Sequence, residues 1–154
     1  MSDDRVPDSA THDDRFAMDD VERYRWASRL LTAGDPHSAL QVLQPLLETE
    51  QDNPAVLVMA ARAAFDSAQL SRAEDLFARI VELDPTDHYA RAGLGRTLQR
   101  RHRHREALPH LRLAHALSPE PWYTDALKRA EEAVAAEEAV PAEDDTPPSS
   151  APLP

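Results

Sequence analysis

The chain has 154 residues, 29% of them charged, no cysteine, and a formal net charge of −11 at pH 7. At that length one domain is expected, and the lack of cysteine excludes disulfides, thiolate catalysis and thiolate metal sites. The acidity is confined to the ends: seven Asp against Arg5 and Arg15 in the first 20 residues, and seven carboxylates without a base in residues 131–154.

The N-terminal segment, residues 1–19, is expected to be a disordered acidic tail, because one-signed charge with few apolar groups cannot offset the entropy of ordering. It lacks the apolar core of a signal peptide, and no run of about 18 apolar residues follows anywhere, so a cytoplasmic, non-membrane protein is expected. An opening helix takes Asp19 or Asp20 as its N-cap. The break Ala33-Gly34-Asp35-Pro36 ends that helix, and Pro36 suits the start of a second one, where its missing N–H costs nothing. Pro45 falls inside this second helix and is expected to bend or interrupt it. Asn53-Pro54 opens the next pair; Ser71 is expected to cap a helix through Arg72–Asp75 to Leu83, which Asp84-Pro85 ends. Pro109 lies near the start of a later helix, where it is tolerated, and Ser118-Pro119 closes that one. A final helix over about 122–138 is expected from the apolar stripe Tyr123, Leu127, Ala130 and Val134, with Trp122 packing at its start. Residues 140–154, with Pro141, Pro147, Pro148, Pro152 and Pro154, are expected to be a second disordered tail.

Three copies of one pattern run through the middle. Ala39, Ala73 and Ala107 are spaced 34 residues apart, as are Leu43, Phe77 and Leu111, then Leu30, Ala64 and Leu98, and the pair Pro85 and Pro119. A self-similar period of this length signals stacked helical hairpins, here over about 20–53, 54–87 and 88–121. Each first helix carries a small residue (Ala27, Ala61, Gly95). Each second helix carries Ala, a large apolar residue four on, and a further one (Leu46, Ile80, Ala114), followed in two copies by Pro. In these residues the chain resembles the tetratricopeptide repeat family. The resemblance implies an all-α, right-handed α-solenoid of about three helix-turn-helix hairpins with a C-terminal capping helix, spanning 20–139. Departures are Arg23 and Arg91 where repeat two has Leu57, a turn glycine present only as Gly34, and Gln51 in place of the first closing proline.

The resemblance also implies a concave face lined by the first helices, which chooses a protein ligand. The positions it marks are Tyr24, Ser28, Leu31 and Thr32, then Val58, Arg62, Phe65 and Asp66, then Tyr89, Arg96, Gln99 and Arg100. Aromatic and arginine groups suit a peptide or helix with apolar anchors and acidic groups. The alternative for Tyr24, Leu31 and Phe65 is packing between hairpins. One subset of the family clamps chaperone C-terminal carboxylates with Lys, Asn and Arg; the corresponding places here hold Tyr24, Ser28, Met59, Tyr89 and Gly93, which do not fit.

A second candidate is the basic run Arg96–Arg105, in which Arg101, Arg103 and Arg105 alternate with His102 and His104; it suits RNA or another polyanion, although no aromatic stacking platform accompanies it. The acidic run Glu143–Asp145 is a nearer polyanion that could visit it. His102, His104, His110 and His115, with Glu106, do not share one face, so no metal is expected. No Gly-rich phosphate loop or signature nucleophile is present, and no cofactor is implied. The expectation is therefore a non-catalytic scaffold or adaptor. A polyanion binder and the accessory subunit of an enzyme complex are the alternatives.

Overall fold

The computed structural model describes residues 18–140, so the two expected tails lie outside the described residues except for Met18, Asp19 and Val140. Among the described residues there are seven helices and no strand: α1 (Asp20–Thr32), α2 (Pro36–Thr49), α3 (Pro54–Asp66), α4 (Leu70–Leu83), α5 (His88–Arg100), α6 (His104–Leu117) and α7 (Pro121–Ala139). They fall into two units, one ending at Leu83 and one beginning at Asp84.

In the first unit α1 packs on α2, α3 on α4, and α2 also on α3. Ala27, Ala39, Leu43, Ala61, Ala64, Ala73 and Phe77 are all buried. The period of small residues therefore marks where helices touch. In the second unit α5 packs on α6 and α7 covers both. There the small position is Gly95, and a Cβ placed on it would lie 2.5 and 2.7 Å from Cγ and Cδ2 of Leu111. No side chain fits there without moving the fully buried Leu111. Buried Thr97 satisfies its hydroxyl within the helix by donating to the Gly93 carbonyl at 2.7 Å.

The same cap recurs at the start of each first helix. Asp19, Asn53 and Asp87 are the N-caps of α1, α3 and α5, each accepting from a backbone N–H of the first turn. At α1 the contact is reciprocal, because Glu22 reaches back to the Asp19 N–H and completes a capping box. Pro54 follows its cap at the first helical position, as Pro36 does after Asp35.

The turn inside each hairpin also repeats. The N–H groups of Gly34, Ala68 and His102 donate to the carbonyls of Leu31, Phe65 and Gln99 at 3.1, 3.1 and 2.9 Å, and those of Asp35, Gln69 and Arg103 to Leu30, Ala64 and Leu98 at 2.9, 2.8 and 2.9 Å. This is a Schellman closure, which requires a left-handed residue after the helix. Gly34 takes it at φ 80°, and Ala68 and His102 take it without glycine at φ 59° each. The missing turn glycines did not remove the turn; they left it strained.

Two sequence expectations are corrected here. Ser71 is not a cap: α4 begins at Leu70, with the Gln69 carbonyl accepting from Ala73 N–H at 2.9 Å. The tight left-handed turn at Ala68 returns the chain two residues sooner than the cap rule supposed. Nor does Pro45 interrupt its helix, since α2 runs from Pro36 through Thr49. Burial of Leu43 and Leu46 on either side of it holds the helix, and Thr49 Oγ1 donates to the Pro45 carbonyl at 3.1 Å. On α7 the buried stripe is Tyr123, Ala126 and Ala130, with Leu127 and Val134 only half-buried.

Left-handed backbone at a residue with a Cβ costs about 1–2 kcal/mol, partly returned by the lower unfolded-state entropy of a non-glycine residue. Ala68→Gly is therefore expected to raise stability by about 1 kcal/mol and Gly34→Ala to lower it by a similar amount. Urea unfolding followed by helical ellipticity measures both, and an Ala68→Gly midpoint at or below that of the native chain would contradict the strain argument.

Candidate functional site

Each unit presents its own part of the expected binding face. On α1 and α3, Tyr24, Leu31, Val58 and Phe65 are half-buried, whereas Ser28, Thr32, Arg62 and Asp66 are exposed. Arg62 forms an i, i+4 ion pair with Asp66 at 3.6 Å, so two of the expected face residues are paired with each other. Tyr24 lies in a cavity of about 440 Å³ bounded by Asp20, Val21, Arg25, Leu46, Glu50, Asn53, Ala55 and Val56. Val21, Leu46 and Val56 line it with apolar groups, and Asp20, Glu50 and Arg25 with charged ones. Among these, only Tyr24 belonged to the expected binding positions, and Leu46 had been marked as a recurring apolar position of the second helices. The cavity forms where the start of α1, the end of α2 and the start of α3 converge, at positions outside the recurring first-helix set; exposed Val21 was the available signal.

On α5 the expected residues meet α7. The ring of Tyr89 stands edge-on to Trp122 with centroids 6.2 Å apart, and the Arg96 guanidinium lies 5.4 Å from the Trp122 ring centroid. Gln99 is spent on structure, its amide donating to the Ala126 carbonyl of α7 at 2.7 Å. Arg100 is exposed. Beside this group Tyr123 is buried, and its hydroxyl meets His88 Nδ1 at 2.9 Å. Burial, then the carboxylates of Glu120 and Asp87, push the Tyr123 phenol up to about 12, so it stays protonated.

The basic run is ion-paired to a large extent. Arg103 holds Glu106 with two contacts of 2.8 and 2.6 Å, and Arg103 accordingly holds the Glu106 carboxyl below its ordinary range. Arg105 reaches Glu137 at 3.6 Å and Glu138 at 3.1 Å on α7, and Arg112 reaches Glu131 at 3.4 Å. Arg101 is half-buried. Exposed pairs of this kind contribute little to stability, but they neutralise the cluster locally. The four candidate histidines divide among three environments: His102 and His104 are near each other with ring centroids 6.1 Å apart, His110 faces Arg91, and His115 faces Thr124. Among the described residues no group of three or more His, Asp or Glu side chains is placed to hold a metal ion, and no helix is long and apolar enough to cross a membrane.

His110 generates a pH prediction. Half-buried and 3.3 Å from the Arg91 guanidinium, its imidazole is held below the ordinary histidine value, first by burial and then by the Arg91 charge. A histidine harder to protonate when folded leaves stability complete above about pH 6.5, and that stability falls as pH drops through the unfolded value. His110→Gln is expected to flatten the loss between about pH 7.5 and 5.5; urea midpoints at both pH values measure it. An undiminished loss in the variant would assign the titration elsewhere.

A family model described as tetratricopeptide repeat matches residues 30–97, from the end of α1 into α5. Among solved structures, MamA residues 41 to the end from Desulfovibrio magneticus RS-1 is similar at 26% identity and a TM-score of 0.69, covering 79% of this chain and 71% of that one. The first TPR domain of the human RPAP3 protein is similar at 18% identity and a TM-score of 0.69, covering 77% of this chain and 94% of that one. The first TPR of Spaghetti (RPAP3) bound to the HSP90 peptide SRMEEVD is likewise similar, at 18% identity and a TM-score of 0.69, over 75% of this chain and 92% of that one. No curated protein matches the chain.

Proposed function

We propose that this chain, a tetratricopeptide repeat protein, is a non-catalytic cytoplasmic scaffold or adaptor that binds a peptide or helix of a partner protein through the exposed faces of its first helices. The observation that carries this reading is the cavity at Tyr24: a lining that mixes apolar side chains with charges of both signs suits one apolar anchor with flanking polar groups. Half-buried Phe65 and exposed Arg62 on α3 supply a further aromatic and cationic contact of the same kind.

The RPAP3 domain, similar in fold, is bound to an HSP90 peptide, which supports peptide recognition by such a hairpin array. The ligand chemistry proposed here differs. At the places resembling the chaperone clamp this chain has Tyr24, Ser28, Met59, Tyr89 and Gly93, which offer no lysine or arginine to a terminal carboxylate. An internal segment with an apolar anchor and nearby acidic groups is the better complement. The polyanion reading is disfavoured because Arg103 and Arg105 are engaged by Glu106, Glu137 and Glu138.

A pull-down from native cell extract, with nuclease in one arm, tests the choice. A nuclease-resistant partner is expected, with affinity reduced about tenfold or more by Tyr24→Ala and by Arg62→Glu/Phe65→Ala, and left nearly unchanged by Arg101→Glu/Arg103→Glu. Recovery that requires intact nucleic acid and is abolished by the Arg101/Arg103 variant would replace the adaptor reading with the polyanion one.

A further inference from the structure

Among the described residues, α1 packs on α2 and α3 only. Its buried residue is Ala27, with Tyr24 and Leu31 half-buried on the same side. At 3.6 residues per turn, Glu22, Arg25, Trp26 and Arg29 fall on the opposite side, within about 100° of arc. All four are exposed. Trp26 leaves 43% of its surface uncovered, with the Arg29 guanidinium 5.2 Å from its ring centroid. Among the described residues neither Arg25 nor Arg29 is ion-paired.

The order of residues on this face is self-complementary. Turning the helix end for end about a point between Arg25 and Trp26 sets an acid, Glu22, against a base, Arg29, and a cation, Arg25, against an aromatic, Trp26. We propose that the outer face of α1 is a docking surface for a second copy of this chain, the two α1 helices lying antiparallel across a two-fold axis beside Arg25 and Trp26. The two-fold makes every contact twice. Glu22 of each copy meets Arg29 of the other, and the Arg25 guanidinium of each lies against the Trp26 ring of the other. The capping box engages Glu22 through Oε2, which leaves Oε1 for the facing arginine. A parallel pair would set Glu22, Arg25 and Arg29 each against its own kind, so charge fixes the orientation. An unrelated partner would have to carry the reversed order of acid, cation, aromatic and cation; a second copy carries it by symmetry.

The contact is small. The 13 residues of α1 span about 18 Å, and one pair of such helices buries less than the roughly 1,200 Å² of a standard interface. A weak dimer is therefore expected, with a Kd on the order of 100 μM. The pairing rests on α1 alone and not on the adaptor reading. Substitutions at Glu22, Trp26 and Arg29 leave Tyr24, Arg62 and Phe65 in place, so either proposal can fail without the other.

Sedimentation equilibrium of the full chain, from about 10 μM to about 1 mM at about 0.1 M salt, tests it, with helical ellipticity recorded for every variant. Arg29→Glu sets like charges against each other twice, as does Glu22→Arg, and each is expected to weaken self-association about tenfold or more. An equimolar mixture of these two single variants regains the opposite-charge pairs and is expected to associate as the native chain does. So is the doubly exchanged Glu22→Arg/Arg29→Glu chain by itself, in which a parallel pair would still face like charges. Trp26→Ala, which touches no cap, is expected to weaken association by a similar factor. A native chain that stays monomeric to about 1 mM leaves the face to some other protein and overturns the pairing. Association indifferent to both Arg29→Glu and Trp26→Ala overturns it as well. Loss in the single variants without recovery in their mixture, at unchanged ellipticity, overturns the two-fold register.

Discussion

Close approach of helices at positions without bulk is the constraint from which the rest of the structure follows. Ala27, Ala61 and Gly95 recur on the first helices, and Ala39, Ala73 and Ala107 on the second ones; all are buried. With only a methyl or a hydrogen there, large residues of the facing helix, such as Leu111 against Gly95, occupy the space. Close packing of this kind tolerates little change in volume. It also explains why the recurring residues carry no chemistry. A side chain long enough to act as acid, base or nucleophile would separate the helices, so recognition is left to the positions between the small ones.

The fold was legible because each level of the sequence agreed with the others. Hydrophobic period, proline placement and Asp19 as a cap each gave the same boundaries, and the recurrence of Asp19, Asn53 and Asp87 was available as a further 34-residue series. The failures came where tertiary contacts outweighed a local rule. Ser71 has the right side chain for a cap, yet the chain closes its turn through Ala68 in the left-handed region, because α4 must return against α3. Pro45 breaks isolated helices, yet Leu43 and Leu46 anchor α2 on both sides of it. In both places packing offsets a local cost of about 1–3 kcal/mol.

The candidate site was less legible, for a different reason. Periodicity assigns a residue to a helix face; it does not say which neighbour reaches that face from elsewhere in the chain. Tyr24 was found, but the cavity around it depends on Leu46 and Val56 arriving from other helix ends. Gln99 was placed correctly on α5, but its amide is taken by the Ala126 carbonyl. The arginine run was conspicuous as sequence, while Glu137 and Glu138, which meet Arg105, lie about 30 residues further on and had been counted with the acidic end of the chain. Charge segregation along the sequence became charge pairing in space.

That pairing sets the character of α7. A helix that ends an array must bury one face and leave the other wet, and α7 buries only a narrow stripe, Tyr123, Ala126 and Ala130, between flanks tied down by polar contacts to α5 and α6. Because its flanks are held by Gln99, His88, Arg105 and Arg112, the helix does not need Trp122 to be enclosed. The indole is therefore available for contact while its orientation is fixed by Tyr123 and Tyr89. An aromatic that is both exposed and rigid loses little entropy on binding. Capping and recognition are then compatible roles for α7: the buried stripe closes the unit, and the residue left over at its start supplies a contact.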